Sequence, residues 1–152
     1  MAYWLFKTEP TECSIDDFAN APDTAIVWEG VRNYQARNML RDNVAVGDLV
    51  FIYHSSCKLI GVAGIARVTR QAYADPSQFD VASAYFDAKS TADTPRWVAV
   101  DLIFECKLPV IIPLDKLKSS AKLNGLPLVQ RGSRLSVMPV TSEQWQTILQ
   151  LS

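Results

Sequence analysis

Three strand-like segments follow one another through the middle of the chain, at residues 48–54, 60–70 and 97–107. No helical pattern that could carry a crossover separates one from the next. Neighbouring parallel strands need such a crossover, whereas antiparallel strands can be joined directly. The order therefore favours antiparallel pairing over a doubly wound parallel sheet.

Shorter elements surround these strands, each marked by an apolar run, a capping residue or a proline. Strands are predicted at 3–8, 25–28 and 134–137, and helices after Ser14, over 33–40, over 114–119 and after Thr141. With 49% hydrophobic and 20% charged residues, the composition is that of a globular protein. We expect one α+β domain over residues 1–152, in which short helices pack on a small curved mixed sheet or open barrel.

The segment from Ala74 to Pro95 carries no clean period and several aspartates and serines. It predicts a long excursion with one helical turn at most. A loop of this length inside a compact domain is usually functional or mobile.

Cysteine usage and hydropathy bear on the compartment. The three cysteines (Cys13, Cys57 and Cys106) are odd in number and lack C-x-x-C spacing, so reduced thiols are expected. The N-terminus shows no signal-peptide pattern, and the longest apolar stretch, Leu108–Leu114, is far short of the ~20 residues of a membrane span. We expect a cytoplasmic protein, nuclear in a eukaryote, with no membrane partner.

Charge is unevenly distributed. The net charge is −1, yet residues 1–30 hold six acids and one base. A nucleic acid would therefore be bound by a local basic surface rather than by the overall field. The candidates for backbone contacts are Arg37, Arg41, Arg131 and Arg134, and the alternative is a mixed, solvated surface.

Sequence patterns give little support to catalysis or to a bound metal or cofactor. His54 is the only histidine, and the serines and cysteine that follow it alternate between strand faces. No H-x-x-x-H, D-x-D, G-x-G-x-x-G or Walker-type pattern is present. Lys7 and Glu9 could form a proton-transfer pair if buried together, but a surface pair is the simpler interpretation. We predict no catalytic set, no metal and no cofactor.

Residues 28–38 are the most informative stretch. Trp28 ends a strand, Gly30 permits a tight turn, and a helix N-terminus follows with Arg32, Asn33 and Arg37 beside it. This order could place a flat aromatic face next to donors that read a polar edge. The alternative is that Trp28 belongs to the core and that Asn33 only caps the helix.

Several motifs, in this order, resemble the EVE domain family across nearly the whole chain. They are Y-W-L-F-K-T-E-P at 3–10, S-I-D-D at 14–17, W-E-G-V-R-N-Y-Q-A-R-N at 28–38, Y-H-S-S-C at 53–57, G-V-A-G-I-A at 61–66, P-R-W at 95–97 and R-L-S-V at 134–137. The resemblance implies a PUA-like fold, related to the YTH readers of methylated adenine. It also implies a pocket for a modified base, usually a modified cytosine in DNA, lined by Trp28, Lys7, Ser55 and Ser56.

Two positions depart from the family pattern. Cys13 and Phe86 stand where many relatives carry tyrosine. The second change argues against a phenol hydrogen bond from the 74–95 segment.

We therefore expect a non-catalytic reader that flips a modified base of DNA or RNA against Trp28. Trp97, or Tyr85 or Phe86 of the 74–95 segment, would form the opposite wall. The full candidate set is Trp28, Lys7, Arg32, Asn33, Ser55, Ser56, His54, Trp97 and Tyr85. The alternatives are a hydrolase of modified nucleosides using Lys7 and Glu9, or a protein-interaction module.

Overall fold

A computed structural model describes residues 1–152. The strands are β1 (Tyr3–Thr8), β2 (Ile26–Trp28), β3 (Leu49–His54), β4 (Gly61–Ala74), β5 (Val98–Pro113) and β6 (Val137–Val140). The helices are α1 (Ile15–Ala19), α2 (Tyr34–Asp42), α3 (Leu114–Lys118) and α4 (Ser142–Gln150), and short 3₁₀ turns lie at Pro76–Phe79, Ala121–Leu123 and Pro127–Val129. No helix is long and apolar enough to span a membrane.

All six strands form one open sheet in the order β2-β5-β4-β3-β1-β6. The β3–β4 and β4–β5 pairs are antiparallel, which confirms the pairing predicted for the three central segments. β1 pairs in parallel with β3 and antiparallel with β6, so the sheet is mixed. The predicted α+β class, with an open mixed sheet, is confirmed.

The two long strands are irregular and bent. Four register shifts interrupt the β4–β5 ladder. A Cβ on Gly61 would collide with the carbonyl of Ile112, and one on Gly64 would collide with Ile15 of α1. Register shifts increase local twist, and glycine permits close backbone approach, so both curve the sheet.

Helices cover both faces of the sheet, and successive strand residues point to opposite faces, so neighbouring residues of one strand are buried in different clusters. Trp4 and Phe6 of β1 pack with α1 and α2 in one cluster, whereas Leu5 packs with α3 and α4 in another. This explains why β1 is apolar without alternation. The parallel pairing of β1 with β3 places the carboxyl ends of these two strands side by side.

Capping residues place the helices. Ser14 with Asp17, and Thr141 with Gln144, form the predicted capping boxes of α1 and α4. Asn33 caps α2 by accepting the Ala36 N–H at 3.0 Å.

Three strand boundaries differ most from expectation. β4 continues beyond the predicted Arg70 to Ala74, because Tyr73 and Ala74 pair with the start of β5. The last strand was expected at 134–137 but covers Val137–Val140, including Pro139. Proline is tolerated there because β6 is an edge strand and needs only one ladder. β5 continues beyond the predicted Lys107 to Pro113, because Ile112 and Pro113 pair with Val62 and Gly61 at the start of β4.

Candidate nucleic-acid interface

A cavity of about 800 Å³ opens where β1 ends and β2 turns towards α2. This volume lies within the range of small-molecule sites. The lining comes from five separate parts of the chain: Lys7, Thr8, Glu9, Glu12, Cys13, Asp17, Ile26, Val27, Trp28, Glu29, Gly30, Val31, Ser55, Tyr85 and Ser136.

Trp28 is both a core residue and a wall of this cavity. Only 6% of its surface is exposed. Its ring centroid lies 5.5 Å from that of Phe6 and 6.5 Å from that of Phe18. Trp28 is therefore a core residue and a cavity wall at once, although the sequence alone left these as alternatives. The packing that orients its ring also contributes to stability.

Tyr85 reaches the cavity from the 74–95 segment and packs on Gly30. Gly30 has φ +85°, and a Cβ there would lie 2.7 Å from the Tyr85 ring. The Tyr85 hydroxyl donates to the Glu12 carboxylate, at 2.6 and 2.7 Å from its two oxygens. The segment thus supplies a phenol hydrogen bond after all, from position 85, while Phe86 is 40% exposed.

Burial and the Glu12 hydrogen bond raise the pKa of Tyr85 to about 12. The phenol is therefore a hydrogen-bond donor at neutral pH and not an anion. It joins the loop after β1 to the 74–95 segment across one side of the cavity.

Arg32 stands behind Tyr85 rather than in the cavity lining. Its Nε and Nη2 atoms donate to the Tyr85 carbonyl at 3.2 and 2.8 Å, and Nη2 also reaches Ser77 Oγ at 3.1 Å. Its Nη1 atom donates to the buried Asp75 carboxylate at 2.9 Å. The Gly30 N–H donates to the same carboxylate, so Asp75 joins the turn to the long segment.

The cavity lining is acidic. It contains four carboxylates (Glu9, Glu12, Asp17 and Glu29) and one basic side chain, Lys7. Burial lowers the pKa of Lys7, and burial with the nearby Asp75 charge raises the pKa of Glu29. No ion pair joins Lys7 to Glu9.

The cysteines and His54 are not arranged as nucleophile and base. All three thiols are free, and burial with the Asp17 and Glu12 charges raises the pKa of Cys13 to about 11. His54 Nε2 accepts the Ile15 N–H at 3.1 Å. Burial lowers the pKa of His54, which keeps the ring neutral as this contact requires.

A second cleft, of about 450 Å³, lies between the start of α2 and residues 127–135. Asn33, Gln35, Arg131 and Arg134 line it, and no acidic residue does. The two sites are neighbours along the chain: Val31 lines the cavity and Asn33 the cleft, and Arg134 of the cleft is followed closely by Ser136 of the cavity. We call these sites the acidic cavity and the basic cleft.

Other predicted residues are placed elsewhere. Ser55 lines the acidic cavity, whereas Ser56 is exposed outside it with φ +53°. Trp97 also lies outside the cavity. Its ring stacks on that of Tyr34, with 4.7 Å between the ring centroids, and its Nε1 donates to the Asp87 carboxylate at 2.8 Å.

The two arginines of α2 already have partners. Arg37 donates to the Arg96 carbonyl at 2.9 Å and lies over the Tyr34 ring. Arg41 forms an exposed ion pair with Asp42 at 2.8 Å.

Reasoning from the sequence missed Glu12, Asp75 and Ser136. Asp75 carried a usable signal, since an aspartate before a proline, with a serine two residues on, is typical of a side-chain-capped turn. Glu12 and Ser136 carried none, because only the folded chain brings them to the cavity.

A profile of the EVE domain family matches residues 2–151. Thymocyte nuclear protein 1 of Danio rerio is 38% identical, over 97% of this chain and 71% of its own length. A crystal structure of a Pseudomonas putida protein is 55% identical with a TM-score of 0.95, covering 99% of both chains. Human THYN1, crystallised in complex with DNA containing 5-methylcytosine, is 37% identical with a TM-score of 0.89, covering 99% of this chain and 97% of that one.

The family profile matches nearly the whole chain. The relatives named above are similar to this chain in sequence over the same length, and the solved structures share its fold. The predicted family is thereby confirmed: the chain belongs to the EVE domain family.

Proposed function

We propose that this protein is a non-catalytic reader of modified cytosine in DNA, and that it binds the flipped base in the acidic cavity. The observation that carries the proposal is the likeness to human THYN1, which was crystallised with DNA containing 5-methylcytosine. The size and lining of the cavity support the same assignment.

Two aromatic side chains border the cavity, Trp28 and Tyr85. Flipping a base out of a duplex costs a few kcal/mol, and stacking on an aromatic side chain returns about 1–3 kcal/mol per base. In this proposal Trp28 is one wall and Tyr85 the other. Trp97, which is covered by Tyr34, supports the position of the 74–95 segment instead.

The polar lining suits a cytosine edge. Carboxylates accept hydrogen bonds from the exocyclic amino group of cytosine, whereas thymine presents an oxygen at that position. Lys7 and Ser55 can donate to the ring nitrogen and carbonyl of the same base. The excess of carboxylates thus favours cytosine over thymine.

The DNA backbone is assigned to the basic cleft. Arg131 and Arg134 are exposed there and form no ion pair with an acidic residue. The acidic cavity would repel phosphate, so the strand on either side of the flipped base would run towards the cleft. Arg37 and Arg41 remain weaker candidates, because each already has a protein partner.

A non-catalytic role fits the state of the reactive groups. The Cys13 thiol is protonated at neutral pH, His54 is used as a structural acceptor, and Lys7 has no paired base. Nothing in the site favours the hydrolase or the interaction module over the reader. The free thiols suit a reducing compartment, so we place the protein in the cytoplasm or the nucleus.

The test is a fluorescence titration with duplexes that carry one 5-methylcytosine or one unmodified cytosine at the same position. We expect tighter binding of the methylated duplex, and binding of free 5-methyl-2′-deoxycytidine that Trp28→Phe weakens. Mass spectrometry of the recovered duplex should show it unchanged. Equal affinity for both duplexes would refute the reader, and a changed base would establish an enzyme.

A further inference from the structure

The guanidinium of Arg32 is fully engaged inside the protein. It donates to the carbonyls of Val31 and Tyr85, to the Asp75 carboxylate and to Ser77 Oγ. Its side chain is 21% exposed. An arginine with every nitrogen in use is not free to read a base edge.

The anchor of this network is Asp75, whose side chain is 0% exposed. Besides Arg32, the carboxylate accepts hydrogen bonds from the Ser77 hydroxyl and from the N–H groups of Gly30 and Ser77. These bonds lower the pKa of Asp75 despite its burial, which by itself would raise it. Asp75 and Arg32 together therefore hold the cavity-side turn and the 74–95 segment in one geometry.

Tyr85 is positioned from three directions. Its carbonyl accepts two hydrogen bonds from Arg32, its ring rests on Gly30, and its hydroxyl donates to Glu12. The Arg32 guanidinium carbon also lies 5.5 Å from the Tyr85 ring centroid. Of these contacts, those from Arg32 are the ones made outside the cavity.

We propose that Arg32 is a positioning residue for base recognition: it sets the place of the Tyr85 wall opposite Trp28 and does not touch the nucleic acid. The inference rests on the proposed function, since it concerns the same cavity. Arg32, which the sequence predicted to contact the ligand, would instead hold Tyr85 in place.

Lysine cannot replace arginine in this role. A lysine ammonium is a single point of donation on a flexible stem, whereas the planar guanidinium donates in fixed directions to several acceptors at once. Arg32→Lys keeps the positive charge beside Asp75 and removes the fork that holds the Tyr85 carbonyl. It therefore separates charge from positioning.

The experiment is a double-mutant cycle with Arg32→Lys, Tyr85→Ala and the double variant, titrated with 5-methyl-2′-deoxycytidine. Arg32→Lys should weaken nucleoside binding about tenfold in the parent, within the 5- to 150-fold range that loss of a stacking wall spans. In the Tyr85→Ala background the same change should cost less than about twofold, because the wall is already gone. The salt dependence of duplex binding should be the same for parent and Arg32→Lys.

Two results would overturn the inference. One is an equal loss in both backgrounds. The other is unchanged nucleoside binding with a salt slope reduced by about 0.9, which marks one lost phosphate contact. If the parent protein binds neither nucleoside nor duplex, the proposed function itself is refuted. If the parent binds but either of the two results above is found, only the role of Arg32 is refuted. The two failures are therefore distinguishable.

Ser77→Ala provides a second route if Arg32→Lys does not fold. It removes the hydroxyl that accepts from Arg32 Nη2 and donates to the Asp75 carboxylate, and it leaves the ion pair between Arg32 and Asp75 in place. We expect a loss of at least about twofold in nucleoside affinity, since a net hydrogen bond contributes about 0.5–1.5 kcal/mol, and none in the Tyr85→Ala background. Unchanged affinity in both backgrounds would overturn the inference on this route.

Discussion

The acidic cavity and the basic cleft are lined by residues that lie close together along the chain, yet the two sites differ in almost every other respect. The cavity is lined by four carboxylates, one lysine and two large aromatic rings, and the cleft by two arginines and amides without any acid. A nucleotide has a neutral, flat base and an anionic phosphate, which call for these two environments respectively. The contrast fits the proposal that one site recognises the base and the other holds the strand.

The largest expected effect comes from removing the Trp28 wall. Since Trp28 is buried against Phe6 and Phe18, Trp28→Ala should cost about 3–5 kcal/mol of unfolding free energy, measured by denaturant unfolding. Trp28→Phe should cost much less and keep the fold. It should weaken binding of the methylated nucleoside and leave the salt dependence of duplex binding unchanged, since the cleft is intact. A Trp28→Ala variant as stable as the parent would contradict the burial of Trp28 against Phe6 and Phe18.

Next in size is Asp75→Asn, which removes the charge that joins Gly30 to Arg32. We expect a loss of about 2–3 kcal/mol at neutral pH, typical of hydrogen bonds to a charged group. The pKa of Asp75 is lowered in the folded protein, so its contribution is present above the unfolded value of about 3.9 and is lost as pH falls below it. The stability difference between parent and variant should therefore shrink in acid. A difference that does not depend on pH would show that the Asp75 charge contributes nothing.

The cleft is tested by Arg131→Ala combined with Arg134→Ala. The double variant should bind duplex about tenfold more weakly at low salt, and the slope of log affinity against log salt should fall by about 1.8, as expected for two phosphate contacts. Binding of the free nucleoside should not change. Arg41→Ala is the matched control, because Arg41 is paired with Asp42. If the control lowers affinity as much, the cleft is not the backbone site.

The smallest effect concerns the charge of the base itself. The carboxylates of the cavity should disfavour 5-carboxycytosine, which carries a negative charge, relative to 5-methylcytosine. Two unit charges about 4 Å apart interact by about 1 kcal/mol when bulk water screens them, which is roughly fivefold in affinity. Added salt should narrow the gap between the two nucleosides. Tighter binding of the carboxylated base would mean that Lys7 dominates the lining.

Local pattern predicted most of the fold. The capping boxes, the three central strands and the break at Gly30 all depend on residues close together in the chain. The last strand was predicted too early in the chain, because Pro139 interrupts the apolar pattern of the true strand. Only the sheet order shows that this strand lies at an edge, where a proline is tolerated.

The site was less predictable than the fold. Trp28 could be singled out because the glycine and helix start that orient it are its neighbours. The place of Arg32 could not, since Asp75 and the Tyr85 carbonyl lie 43 and 53 positions away. For the same reason the sequence left Trp97, Tyr85 and Phe86 as candidates for the second wall, although only Tyr85 among them borders the cavity.

The position of β1 in the sheet has a consequence for how the protein matures during synthesis. β1 is made first, but it lies between β3 and β6, and the Lys7 N–H donates to the Ser136 carbonyl at 2.9 Å. Domains are translated from the N-terminus at about 5–20 residues per second. A nascent chain thus carries Lys7 and Trp28 for several seconds before Ser136 exists to close the cavity beside them. If the cavity binds the base as proposed, truncated chains that lack β6 would also lack Ser136 beside Lys7, and we expect them not to compete for modified DNA.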